Sequence, residues 1–146
     1  MTQVAAGGLA VAGLLTLAGC GAGLPGSGFF GDGSRADRVV KGTLPGWDGP
    51  DPDPLNGRPV VGWVSETEFG VITMGSSSCP AVAGELEVLD ADEVQIEFGP
   101  SPRNPCTADM APTSHVFQLP SAVDGRPVTV TVQFADYETD YVLELE

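Results

Sequence analysis

The sequence predicts an all-β protein, and three observations lead to that prediction. Apolar and polar residues alternate with a period of two in several short stretches after Arg58, as in strands that bury one face. Turn-forming residues interrupt these stretches at short intervals. No convincing helical period of 3.6 residues is found there. We therefore expect an antiparallel β-sandwich over residues 59–146.

About seven short strands are expected in this domain. In residues 85–90, Leu86 and Val88 fall on one face and the intervening glutamates on the other. The last runs alternate in the same way, with valines inward and threonines outward in residues 127–134. A small domain with this many short strands suggests an immunoglobulin-like sandwich. The expected strands are residues 59–65, 68–74, 85–90, 93–99, 115–120, 127–134 and 141–146.

The residues that precede the expected sandwich have a different composition. Residues 21–58 contain ten glycines and five prolines and show no strand or helix period. Such a composition is typical of a flexible linker. We therefore expect three segments, which are an apolar segment over residues 1–19, a tether over residues 20–58, and the sandwich over residues 59–146.

An uncharged apolar stretch begins the sequence. No charged side chain occurs in the first nineteen residues, and those from Val4 to Ala18 are almost all apolar or small. The stretch is shorter than the roughly 20 residues that a membrane-spanning helix needs. Its length suits the apolar region of a secretory signal peptide.

Leu17, Ala18, Gly19 and Cys20 end this stretch and resemble the lipobox of bacterial lipoprotein signal peptides. The resemblance implies that the Cys20 thiol receives a diacylglycerol and that residues 1–19 are then removed. A lipid on Cys20 would anchor the protein to the extracytoplasmic side of the cell membrane. The sequence departs from the family's pattern in one respect, because no basic side chain precedes the apolar run.

The composition excludes some partners. The sequence has 20 acidic and six basic side chains, with a formal net charge of −14. Nucleic acid is therefore not expected as a partner, because phosphate binding needs a basic surface. Close docking on anionic lipid is also disfavoured.

Three cysteines are present, at positions 20, 79 and 106. If Cys20 is acylated, Cys79 and Cys106 remain, and an oxidising compartment allows them to form a disulfide. Copper binding through these thiols, with Met74, Met110 and His115, is the alternative. It lacks the second histidine of a blue-copper site, so the disulfide is favoured and no metal or other cofactor is assigned.

Catalytic chemistry finds little support. His115 is the only histidine, and a Ser-His-Asp triad would combine it with a serine at positions 76–78 and with Asp109. The Gly-x-Ser-x-Gly motif is missing, so no catalytic residue is assigned and His115 is expected on a polar face or at a strand end. Asp136, Glu138 and Asp140 do not match a calcium loop, so a solvated loop is expected there, with weak calcium binding as the alternative.

A second resemblance covers much of the domain. The segments MGSSSCP (residues 74–80), CTADMAPTSHVFQLP (106–120) and RPVTVTV (126–132) resemble a group of small lipoproteins of actinobacteria that have no assigned activity. The resemblance implies the same compartment and the same cysteine pair. It supplies no catalytic residue.

The leading hypothesis is a lipid-anchored binding or interaction module with an unknown ligand in the cell envelope. Its recognition surface is expected in residues 76–80 and 100–112, because loops on a rigid scaffold commonly carry recognition. The alternative is a small envelope enzyme or a copper-type metal-handling lipoprotein. The candidate binding residues are Ser76, Ser77, Ser78, Arg103, Thr107 and Asp109.

Overall fold

The computed structural model describes residues 35–146, and the expected signal peptide and Cys20 lie outside the described residues. Eight strands form two four-stranded sheets that pack face to face, which confirms the all-β sandwich. The described part of the chain contains no helix, and hence none that could cross a membrane. The strands are β1 (Arg38–Lys41), β2 (Val60–Trp63), β3 (Glu68–Gly75), β4 (Val82–Asp90), β5 (Glu93–Gly99), β6 (Ala111–Gln118), β7 (Val128–Phe134) and β8 (Tyr141–Leu145).

The two sheets differ in the direction of their strands. Sheet A has the order β1-β6-β3-β2 and is antiparallel throughout. Sheet B has the order β4-β5-β7-β8, and its central pair, β5 and β7, is parallel. The chain leaves sheet B after β5, crosses sheet A as β6 and returns, so β7 runs in the direction of β5. This pair departs from the expected antiparallel arrangement and from the two antiparallel sheets of an immunoglobulin domain.

The predicted alternation accounts for the core between the sheets. Val128, Val130 and Val132 of β7 are fully buried. Val94 and Ile96 of β5, the register partners of Val130 and Val132, are buried with them. Phe69 of β3 stacks on Phe117 of β6 at 5.5 Å between ring centroids. Burial of these apolar side chains is the main stabilising contribution to the sandwich.

Part of the segment that the sequence predicts as a tether packs against the sandwich. Strand β1 lies within residues 20–58 and pairs with β6, and the connection after it covers the outer face of sheet A. Leu44 in this connection is only 7% exposed. A Cβ placed on Gly70 of β3 would lie 3.0 Å from the Trp47 ring and 3.5 Å from Leu44. Leu44 and Trp47 of this Gly- and Pro-rich stretch therefore pack against the sheet.

The same connection passes very close to β2. A Cβ on Gly62 would lie only 2.7 Å from the Cα of Gly49 and 3.0 Å from the carbonyl oxygen of Asp48. The Asp48 amide donates a hydrogen bond to the Trp63 carbonyl at 3.0 Å. Two glycines allow the backbones to come this close.

Four connections meet at one end of the sandwich, which we call the loop end. They join β1 to β2, β3 to β4, β5 to β6 and β7 to β8. The strand register places the last residues of β3, β5 and β7 beside the first residues of β6, β4 and β8. Residues 76–80 and 100–110 of the predicted recognition segments therefore lie at the loop end.

Candidate binding surface at the loop end

A disulfide joins two of the four connections. Cys79 lies between β3 and β4, and Cys106 lies between β5 and β6. Their sulfur atoms are 2.04 Å apart and their Cα atoms 5.4 Å apart, within the range that a disulfide requires. With both sulfurs in this bond, neither cysteine has a thiolate with which to bind copper.

Three serine hydroxyls of the β3–β4 connection surround Thr107 of the β5–β6 connection, one residue after Cys106. Its Oγ1 lies 2.9 Å from Ser76 Oγ and 3.2 Å from Ser78 Oγ, and Ser77 Oγ is 3.4 Å away. The Thr107 hydroxyl donates its one hydrogen to Asp109 Oδ1, so its oxygen accepts from the serines, from at most two of them at a time. The Thr107 amide donates to Ser78 Oγ at 2.9 Å. We call these five residues the hydroxyl cluster.

Asp109 supplies the negative charge of the hydroxyl cluster. Hydrogen bonds from the Thr107 hydroxyl and then from Ser77 lower the pKa of Asp109 to about 2. The Ser77 amide contributes one of these bonds, at 3.1 Å from Oδ1. The carboxylate is therefore ionised at neutral pH and lies at the protein surface.

Five of the six predicted binding residues thus form one cluster, and Arg103 lies beside the disulfide. The Arg103 carbonyl oxygen is 3.4 Å from Cys79 Sγ. Its amide donates to Ser101 Oγ at 3.3 Å. The sequence predicted these segments from their turn-forming residues, and the disulfide explains why they meet.

The expected position of His115 is wrong. The residue lies within β6, a central strand of sheet A, and its ring points between the sheets with no exposed surface. Its Nε2 is 3.1 Å from Thr73 Oγ1, and the ring contacts Phe98 of sheet B edge to face at 4.8 Å. Burial lowers the pKa of His115 to about 4, so the imidazole is neutral at pH 7. A residue enclosed in this way cannot serve a triad with the exposed Asp109.

Three exposed apolar side chains lie at the loop end, of which Leu55 and Tyr137 were not predicted as site residues and Met110 was named only as a possible copper ligand. Leu55, Tyr137 and Met110 are 95%, 71% and 53% exposed. They lie on three different connections. The available signal was a large apolar residue within a turn-like stretch, for example Leu55 between Pro54 and Asn56.

A hydrogen-bonded turn presents Leu55 to solvent. The Leu55 amide donates to Asp53 Oδ1 at 2.9 Å, and the Asn56 side-chain amide donates to Asp53 Oδ2 at 3.1 Å. Gly57, with φ of +64°, closes the turn by donating to the Asp53 carbonyl. The turn therefore fixes the backbone that carries Leu55.

Contacts connect this turn to the neighbouring connections. A Cβ on Gly57 would lie 3.8 Å from Met110 Cε. Met110 follows Asp109 of the hydroxyl cluster in the sequence. In the other direction, the Arg58 guanidinium lies 5.7 Å from the centre of the Tyr141 ring. Phe134 contacts the rings of both Tyr141 and Tyr137, at 6.0 and 5.9 Å. The Asp53–Gly57 turn is therefore a neighbour of the β5–β6 connection on one side and of the β7–β8 connection on the other.

The acidic residues of the β7–β8 connection are part of the same end. Asp136, Glu138 and Asp140 flank Tyr137 in sequence and are exposed. Within residues 35–146, no group of three or more histidine, cysteine or carboxylate side chains is arranged to hold a metal ion.

Comparison with known proteins identifies no relative of this chain. No protein-family model matches it, and neither does any curated protein or solved structure.

Proposed function

We propose that the chain is a membrane-anchored extracytoplasmic lipoprotein whose β-sandwich is a binding module. Two independent features support the location. The lipobox-like sequence ending in Cys20 predicts a lipid anchor. Cys79 and Cys106 at bonding distance favour an oxidising compartment, because disulfides persist mainly outside the cytoplasm.

The observation that carries the binding role is the construction of the loop end. A disulfide and the hydroxyl cluster hold the β3–β4 and β5–β6 connections together at its centre. A surface ordered before binding loses less conformational entropy when a ligand arrives. Exposed loops on a rigid sandwich are also a common location for recognition.

Less supports the alternative of a small envelope enzyme or a copper-type metal handler. Copper binding would need thiolates at Cys79 and Cys106, and a Ser-His-Asp triad would need an accessible His115. The cysteines are bonded to each other, and the histidine is enclosed in the core.

Replacing Cys20 tests the anchor. Cys20→Ala should release the protein from the membrane fraction or leave it as uncut precursor, with no incorporation of labelled fatty acid. The Cys79→Ser, Cys106→Ser double variant is the matched control and should retain both label and membrane association. Equal fractionation of all three proteins, without label in the wild type, would contradict the anchor.

Site-specific photo-crosslinking in living cells tests the binding surface. A photoreactive amino acid at Ser77 should give a specific adduct with an envelope component. The same amino acid at Gln95 is the control, because Gln95 lies on sheet B, where its side chain points away from the core. An identical adduct pattern at both positions, or none at Ser77, would contradict a binding role for the loop end.

A further inference from the structure

We infer that the loop end binds a partner protein through a segment that carries both basic and apolar side chains. The inference rests on the proposed function and adds the chemistry of the ligand. It depends on two separate properties of this surface, its exposed apolar side chains and its charge.

Three of the six exposed large apolar side chains within residues 35–146 lie in the connections, and the other three, Val88, Leu89 and Val142, lie on strands β4 and β8. Leu55, Met110 and Tyr137 lie on three connections of the loop end, and neighbouring side chains link these connections to one another. Exposed apolar residues that occur singly are ordinary, whereas several on one surface are typical of an interaction site. Rigid tyrosine and apolar side chains on neighbouring loops also provide much of the contact area in antibody paratopes.

The charge of the surface is strongly negative. Two guanidinium groups, those of Arg58 and Arg103, lie on these connections among seven carboxylates. One of the seven, Asp48, pairs with Trp63 at the far end of β2, and the other six remain for the loop end. Asp109 stays ionised well below neutral pH because of its hydrogen bonds, so part of this charge is fixed. The six carboxylates belong to Asp51, Asp53, Asp109, Asp136, Glu138 and Asp140.

Charge complementarity indicates which kind of partner the loop end binds. A second copy of the chain would bring the same acidic surface, and like charges across an interface are unfavourable. An anionic membrane surface is excluded by the same argument. A basic protein segment is attracted, and its apolar side chains can cover Leu55, Met110 and Tyr137.

The test measures binding of the full chain, in a mild non-ionic detergent, to immobilised nine-residue peptides of three compositions. One set combines lysine with leucine, the second glutamate with leucine, and the third lysine with serine. We expect the lysine–leucine peptides to retain the protein about tenfold more strongly than either other set. If the glutamate–leucine set retains the protein as strongly as the lysine–leucine set, the proposed charge preference is overturned. If the lysine–serine set retains it as strongly, the proposed preference for apolar side chains is overturned.

Two variants locate the binding on the protein. The triple change Leu55→Ser, Met110→Ser, Tyr137→Ser should abolish the preference for leucine. Its control is Val88→Ser, Leu89→Ser, because these residues are 41% and 50% exposed at the opposite end of β4 and should have no effect. Equal losses in both variants, with circular dichroism showing intact β-structure, would overturn the assignment to the loop end.

A charge variant tests the second property separately. Asp136→Asn, Glu138→Gln, Asp140→Asn should weaken retention by the lysine–leucine peptides and reduce its dependence on salt. The control Glu87→Gln, Glu93→Gln, Glu97→Gln removes the same charge from sheet B and should have little effect. Equal effects of both variants would show that net charge alone is responsible and would overturn the inference.

The crosslinking and peptide experiments together distinguish a failure of the inference from a failure of the proposed function. If Ser77 crosslinks to an envelope component but the peptides show no preference, the binding module stands and its ligand chemistry is wrong. If neither experiment gives a signal, both proposals fail. Self-association or vesicle binding that the triple serine variant removes would replace the basic partner by a second copy or a lipid surface.

Discussion

Cys79 and Cys106 hold together two connections that cross between the sheets in opposite directions, with their Cα atoms 5.4 Å apart. The β3–β4 connection passes from sheet A to sheet B, and the β5–β6 connection returns. The disulfide therefore fixes the centre of the loop end, and Thr107 follows it directly.

The first prediction concerns the disulfide. The Cys79→Ser, Cys106→Ser double variant should unfold with a free energy lower by about 3.5 kcal/mol, because the bond closes a loop of 27 residues. Urea unfolding of wild type and variant, followed by circular dichroism, measures the difference. Reduced wild type should behave like the variant, and identical unfolding curves for all three forms would contradict the structural role.

The second prediction concerns pH and His115. The pKa of about 4 in the folded protein lies below the ordinary value of 6.5, so the unfolded chain takes up the proton first as the pH falls. Stability should therefore fall between about pH 6.5 and 4, by at most about 3 kcal/mol. His115→Met should remove this slope between pH 5 and 6.5, measured by urea unfolding. An unchanged slope in the variant would mean that other titratable groups cause the loss of stability at low pH.

The third prediction tests whether the connection after β1 belongs to the fold. Leu44→Ala should lower the free energy of unfolding by about 2–3 kcal/mol, because it removes a buried side chain from the outer face of sheet A. Leu55→Ala is the matched control and should be close to neutral, since Leu55 is 95% exposed. Thermal unfolding of both variants makes the comparison. Equal effects would mean that residues 42–50 behave as a tether.

The fourth prediction concerns the close approach of Gly62 and Gly49. Gly62→Ala should destabilise the protein by about 1–3 kcal/mol, because backbone atoms within 3.0 Å of the new Cβ would have to move. Gly75→Ala is the control, since no atom lies within 4 Å of its added Cβ. This second change should be neutral or slightly stabilising in urea unfolding. A neutral Gly62→Ala would contradict the tight contact.

Much of the fold was predictable because strand alternation records which face of each strand is buried. In β7 the valines and threonines of the sequence separate onto two faces as expected. The parallel pairing of β5 with β7 was not predictable, because alternation identifies a buried face without identifying the partner strand. The register of a sheet depends on contacts that are distant in sequence.

The site was predictable in part for a similar reason. The turn-forming residues around Cys79 and Cys106 predicted two loops. The predicted disulfide implied that these two loops lie side by side. The interior position of His115 was missed because a single histidine carries little information about its face. Leu44 and Leu55 both occur in Pro- and Gly-rich surroundings, yet one is buried and the other exposed. Only the path of the chain over sheet A distinguishes them.

The most direct test of a lipid-anchored, disulfide-containing sandwich is the intact mass of the protein purified from membranes. The account predicts a chain that begins at Cys20, carries a diacylglycerol there, and lacks the two hydrogens lost in the Cys79–Cys106 bond. Reduction should add those two hydrogens and leave the lipid in place. An unlipidated chain that retains residues 1–19, or a mass with both thiols free, would contradict the account.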